Sequence, residues 1–180
     1  LFQQFRMTET SKELPNFLRK AEAHSWTYQE FLNELLNYEA SRREEKMIER
    51  NLKWAKFPYQ KGLDEFDLQE QRSLSARQLK QLRELSWLEQ SFNLIFLGPP
   101  GVGKTHLSIG LGLAAIQNGY RASFVSMGEL VPLLKTEEYL RKSQIQLNRI
   151  RKADLVIIDD LMYMAMDQHE ANLFFHLINH

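Results

Sequence analysis

Apolar residues recur at helical spacing over residues 10–24, at Leu14, Phe17, Leu18 and Ala21, and predict a first helix. Thr10 or Ser11 is placed to cap it, and Pro15 is tolerated only if it falls in the first turn. Ser25-Trp26 breaks the pattern, and Thr27-Tyr28-Gln29-Glu30 reads as a capping box. Phe31, Leu32, Leu35, Leu36, Ala40, Met47 and Ile48 then trace the inner stripe of a long helix that Pro58 ends. Two helices alone bury little, so they are expected to pack as a hairpin or against a neighbour. From Gly62 to Gln71 the helical period disappears, which predicts a linker over 62–74 with Phe66 and Leu68 as its anchors. Ser75 caps a further helix running through Leu79, Leu82 and Leu85 to Trp87.

Beyond residue 92 the pattern changes. Leu94-Ile95-Phe96-Leu97 is a short, unbroken apolar run, the signature of a strand buried on both faces. Helix formers fill Leu107 to Gln117, and Asn118-Gly119 supplies a stop. Ala122–Ser126 predicts a second strand, Met127–Lys135 and 137–152 predict helices, and Leu155-Val156-Ile157-Ile158 predicts a third strand, fully buried. The alternation predicts an α/β domain over 75–180, a parallel sheet flanked by helices, with a small all-α domain over 1–61 before it.

The glycines between the first of these strands and its helix carry the chemistry. Gly98-Pro99-Pro100-Gly101-Val102-Gly103-Lys104-Thr105 is a full match to G-x-x-x-x-G-K-[ST] in the context strand–loop–helix. Loop N–H groups and the positive end of the helix make a concave site for phosphate. The nucleotide-binding set is therefore Gly98, Pro99, Pro100, Gly101, Val102, Gly103, Lys104, Thr105 and His106. Lys104 neutralises β/γ-oxygens and the Thr105 hydroxyl ligates magnesium. Asp159 and Asp160 end the third strand, where ligands collect in open α/β sheets. Asp159 is the expected magnesium ligand, and Asp160 is placed to polarise an attacking water. Adjacent acids at a buried edge repel one another without a cation, which favours a metal over an ordinary strand-end turn. The ligands predicted are ATP and Mg²⁺.

Charge adds a second candidate surface. Arg42, Arg43, Lys46, Arg50 and Lys53 recur at helical spacing near Trp54 and Phe57, and could track a DNA backbone. Glu44, Glu45 and Glu49 offer the alternative of a solvated face laced with ion pairs. Arg141 and Lys142 pose the same question on a later helix, where a face turned to water is the plainer reading. His169, His176 and His180 share a helix face, but H-E-x-x-H is absent, since Asn172 and Leu173 follow and no histidine completes the spacing. Net charge is zero and there is no cysteine, which excludes a disulfide scaffold and leans towards a reducing, cytoplasmic setting. No apolar run reaches the ~20 residues that span a bilayer, so no membrane partner is expected.

Taken together, GPPGVGKTHL, LVIIDD, the helical start, a basic helix ending near FPYQKGLDEFD and a W-L-E before the first strand resemble the AAA+ ATPases, above all IstB-like proteins. DnaC-type helicase loaders are the next resemblance. The resemblance implies an ATP-dependent oligomer on duplex DNA that recruits or activates a transposase. It carries Lys104 and Thr105 to nucleotide and magnesium, Asp159 to magnesium and Asp160 to hydrolysis. Many AAA+ relatives have Glu where this chain has Asp160, so slow intrinsic hydrolysis is expected. AAA+ proteins insert another strand between the two motif strands and place an arginine finger and a lid further on. The expectation is thus that the C-terminal part of the AAA+ fold is absent from this chain. A helicase loader remains the near alternative. A phosphate-loop small-molecule kinase and a scaffold locked by bound ATP are the alternatives of other classes.

Overall fold

The computed structural model describes residues 2, 4–68, 74–161 and 165–179. They form two compact units, residues 1–49 and 50–180, and the division falls inside a long helix.

In the first unit, α1 (Thr8–His24) lies against α2 (Tyr28–Ala55). The box at the start of α2 forms as its residues dictate: Thr27 N donates to Glu30 at 2.7 Å and Glu30 N donates to the Thr27 hydroxyl at 3.2 Å. The start of α1 departs from expectation. Met7 precedes it without a side-chain cap, and Pro15 sits in its interior rather than its first turn. Thr10 does not cap; it is fully buried and its hydroxyl donates to Glu39 on α2. The helix begins at Thr8, which puts Thr10 inside its first turn rather than at the cap, and there its hydroxyl satisfies a buried carboxylate that would be costly to leave unpaired. Phe17 and Leu35 fill the apolar part of this contact, with Phe17 edge-on to Tyr38 at 5.2 Å.

In the second unit the order is α3 (Ala76–Arg83), α4 (Ser86–Glu89), α5 (Lys104–Gln117), β1 (Ala122–Ser126), α6 (Met127–Lys135), α7 (Arg141–Arg151), β2 (Leu155–Asp159) and α8 (Gln168–Ile178). Ser75 caps α3 through Gln78, but the expected run to Trp87 is interrupted at Leu85, a buried residue at φ 59°. Helical φ is lost there, so two short helices replace one. The helix expected over 137–152 starts only at Arg141, after a turn held by the bond from Leu140 N to Thr136 O at 2.9 Å.

β1 and β2 pair in parallel, from Ala122 opposite Leu155 to Ser126 opposite Asp159. Register is pinned below the first pair. The Arg121 guanidinium grips Asp154 at 3.0 and 3.1 Å, while Asp154 N donates to Arg121 O at 2.8 Å. Side chains alternate across the sheet. Val125, Val156 and Ile158 join Leu130, Leu134, Leu147 and Ile150 in one core cluster, packed by α6, α7 and α8. Phe124 and Ile157 face the other way, towards α5 and Phe57.

The run Leu94–Leu97 corrects a sequence expectation. It joins no ladder; the described sheet consists of β1 and β2. Phe96 packs against Leu63, Leu107 and Leu111, whereas Ile95 and Leu97 are 71% and 80% exposed. With no neighbouring strand to cover it, a segment patterned for burial on both faces is buried on one.

Residues 57–68 form a strap across α5, and two glycines inside that helix admit it. A Cβ at Gly110 would lie 2.6 Å from Leu63 Cδ2, and one at Gly112 would lie 2.7 Å from Phe57 Cζ and 2.9 Å from Ile157 Cδ1. Glycine costs a helix interior about 1 kcal/mol, so its use here marks close approach. Gly112→Ala, squeezed from both sides, is expected to lower unfolding stability by about 1–3 kcal/mol despite its better helix propensity. Chemical denaturation of the variant measures this, and an unchanged midpoint would show that the strap yields freely. Among the described residues, no helix is long and apolar enough to cross a membrane.

Candidate functional site

The loop between Leu97 and α5 takes its shape from two left-handed residues. Gly101 has φ 81° and Gly103 φ 84°, values that a side chain resists. At Gly101 there is open space for a Cβ, so only the backbone demands glycine; at Gly103 a Cβ would also press on the Phe66 ring at 3.1 Å. Gly103 is the N-cap of α5 and brings no side chain to its first N–H groups. Those donors, and the positive end of the helix, therefore open into the loop. Lys104 folds back over it, with Nζ donating to Gly98 O at 2.9 Å and Pro99 O at 2.8 Å. Its partners there are neutral carbonyls and not carboxylates.

The second motif arrives from the sheet. Leu155, Ile157 and Asp159 share the face of β2 turned to α5, so the alternation aims Asp159, not Ile158, at the loop. Thr105 Oγ1 donates to Asp159 Oδ2 at 2.9 Å. Residues 54 positions apart thus place a hydroxyl and a carboxylate at one point beside the loop. Asp160 follows off the strand end, exposed and at φ 59°. Short polar side chains tolerate that conformation better than others, and it turns the chain away from the ladder.

The strap completes the surroundings. Phe66, Glu65 and Asp67 line an open pocket of about 230 Å³ together with Gly101, Val102, Gly103 and His106. His106 Nε2 donates to Gly62 O at 3.0 Å, and its ring meets Phe66 edge-on at 5.4 Å. Burial raises the Tyr59 phenol above its ordinary value, and the Asp159 charge adds to the effect. Sequence reasoning passed over Tyr59 and the buried anchor Leu63, naming Phe66 and Leu68 instead. The signal that could have found the strap is the pair Gly110 and Gly112 in mid-helix.

The basic surfaces divide. On α2, Arg42 pairs with Glu45, Arg43 with Glu39 at 2.7 Å, and Lys46 with Glu9 at 3.0 Å; Arg50 and Lys53 are exposed. On α7 the pattern differs. Ser143, Leu147 and Ile150 face the core, whereas Arg141, Lys142, Ile145, Asn148 and Lys152 face solvent, and the helix carries no acid. Its first turn holds Arg141 and Lys142 against the helix dipole with no side-chain cap at Leu140. His169 and His176 lie on α8, and His180 lies outside the described residues. Among the described residues, no group of three His, Cys, Asp or Glu side chains converges on a point.

A parallel sheet flanked by helices, with a glycine loop opening onto a helix N-terminus, defines a phosphate-loop α/β protein. Over residues 1–180 the sequence matches the family described as IstB-like ATP binding protein, and the chain belongs to that family. Its relatives include proteins named for ATP binding in insertion sequences. That of IS21 from Pseudomonas aeruginosa is 35% identical over 99% of this chain and 68% of its own length. That of IS5376 from Geobacillus stearothermophilus is 36% identical over 88% of this chain and 63% of its own length. A third, of IS232 from Bacillus thuringiensis subsp. berliner, is 38% identical over 85% and 61% respectively. The chain thus spans roughly two thirds of the length of these relatives.

Proposed function

We propose that this chain is the nucleotide-binding part of an ATPase that assembles on duplex DNA and acts with a transposase. The observation that carries the reading is the 2.9 Å bond between Thr105 and Asp159, which unites the phosphate loop with the acidic strand end. In this reading the N–H groups of the loop and of the first turn of α5 bind the β-phosphate. Lys104 exchanges its two carbonyl partners for phosphate oxygens. Phe66 and His106 border the space where the nucleoside lies.

The donor set fits magnesium, a hard cation that one hydroxyl and one carboxylate can hold while phosphate and water supply its other ligands. Thr105 and Asp159 are the residues that would hold it, and when bound it neutralises charge on the phosphates. Asp160, exposed beyond β2, accepts the proton of a water. Its carboxylate is one methylene shorter than a glutamate, so hydrolysis is slow until DNA or a partner orders the site.

The names of the relatives point to mobile DNA, which favours a transposase over a replicative helicase as partner. For the DNA itself, the acid-free outer face of α7 is better suited than the α2 strip, several of whose cations already neutralise carboxylates. Arg141→Glu with Lys142→Glu is expected to weaken duplex binding at least tenfold at low salt and to flatten its salt dependence. The triple change of Arg42, Arg43 and Lys46 to Glu is expected to do less. Fluorescence anisotropy across a salt series measures both, and equal losses would return the α2 strip to consideration. The function as a whole is tested by particle size on duplex DNA with ATP, ADP or neither. ATP-dependent growth supports an oligomeric switch, and a particle of constant size under all three conditions contradicts it.

A further inference from the structure

We infer that His106 is a positioning residue that sets the preference for a nucleoside triphosphate over a bare polyphosphate. It does so by clamping the 62–66 turn so that Phe66 stays seated over the phosphate loop. The inference rests on the proposed nucleotide site and concerns how the side of that site away from the phosphates is held.

The turn is built largely from its own groups. Gly62 N donates to Glu65 Oε1 at 3.2 Å, Glu65 N donates to Gly62 O at 3.2 Å, and Phe66 N donates to Leu63 O at 3.2 Å. Two features fasten it to α5. One is apolar: Leu63, buried, packs with Leu107 and Leu111 and occupies the space a side chain at Gly110 would need. The other is His106, whose Nε2–H reaches the second lone pair of the Gly62 carbonyl at 3.0 Å.

A carbonyl accepts and does not donate, so this bond fixes the ring with its proton on Nε2 and leaves that nitrogen no donor for a ligand. The same ring supports Phe66 edge-on at 5.4 Å, and the Phe66 ring in turn lies 3.1 Å from where a Cβ on Gly103 would sit. With Nε2 committed to Gly62, the effect of this donor on a ligand passes through Phe66. The phosphate-binding elements, namely the loop N–H groups, Lys104 and Thr105, are held by other contacts. Loosening the turn should consequently weaken what lies against Phe66 and spare what lies in the loop.

The test compares calorimetric titrations of ATP and of inorganic tripolyphosphate, both with magnesium, into the unaltered chain and three variants. His106→Phe keeps a ring and loses the donor; it is expected to bind ATP about tenfold more weakly and tripolyphosphate within twofold of the original, the effect of one hydrogen bond. His106→Gln keeps an N–H at similar reach and is expected to restore ATP affinity. Phe66→Ala is expected to reproduce the selective loss, with no further loss when combined with His106→Phe. Equal loss of both ligands in His106→Phe, no loss of either, or additive effects with Phe66→Ala would each overturn the inference while leaving the nucleotide site standing. If the unaltered chain binds neither ligand, the proposed function fails first and this inference with it.

Discussion

Lys104→Ala is expected to weaken ATP binding by at least about a hundredfold, to the point where it is no longer measurable at ordinary ligand concentrations. The ammonium is a positive side-chain charge poised at the loop, with the Gly98 and Pro99 carbonyls as its hydrogen-bond partners. Two charge-assisted hydrogen bonds to phosphate contribute about 1.5–3 kcal/mol each, and each 1.4 kcal/mol is a factor of about ten. The fold should barely notice, because two exposed contacts to carbonyls add little to stability. Equilibrium dialysis with labelled ATP reads the first effect and a thermal melt the second. A variant that keeps its affinity would mean the loop does not grip the triphosphate at all.

Asp160→Asn should have the opposite profile. ATP affinity is expected to stay within about threefold, since Thr105 and Asp159 still hold the phosphate end together. Turnover should fall by about 10²- to 10⁴-fold, the usual contribution of a positioned base. Single-turnover hydrolysis in the presence of duplex DNA separates the two effects. Full DNA-stimulated hydrolysis by this variant would falsify the role given to Asp160. The contrast with Lys104→Ala matters because misfolding alone would damage binding in both.

The candidate site was more legible in the sequence than the architecture. The glycine loop and the acid pair could be read directly because their chemistry sits in residue types at fixed spacing, and the β2 alternation then decided which acid faces Thr105. The capping boxes at Thr27, Ser75 and Ser126 were equally open to inspection or follow the same local rule. What escaped was non-local. Thr10 looked like a cap because nothing nearby reveals Glu39, 29 residues away. Leu85 fits a helical period, yet a buried position claimed it in a left-handed conformation that ended the helix. The strap was invisible to periodicity because it follows no repeating pattern, and its seat on α5 depends on Gly110 and Gly112 far along the chain. Charge runs were ambiguous for a related reason. Arg42, Arg43 and Lys46 look alike in sequence to Arg141 and Lys142 at the start of α7, and only the carboxylates brought alongside the first set tell the two apart, whereas Arg151 further along α7 pairs with Glu137.

The uncharged run from Phe92 to Leu97 has a practical bearing on how this protein behaves in the tube. Six consecutive residues carry no charge, no proline and no glycine, and Phe92, Ile95 and Leu97 stand in solvent. A stretch of that composition is adhesive towards its own copies, since main-chain groups and side chains alike find partners by stacking. Dilute solutions, low temperature and short storage are therefore the conditions under which its ligand chemistry is best observed. Turbidity that grows with concentration should be traced to this segment before it is taken for ordered assembly.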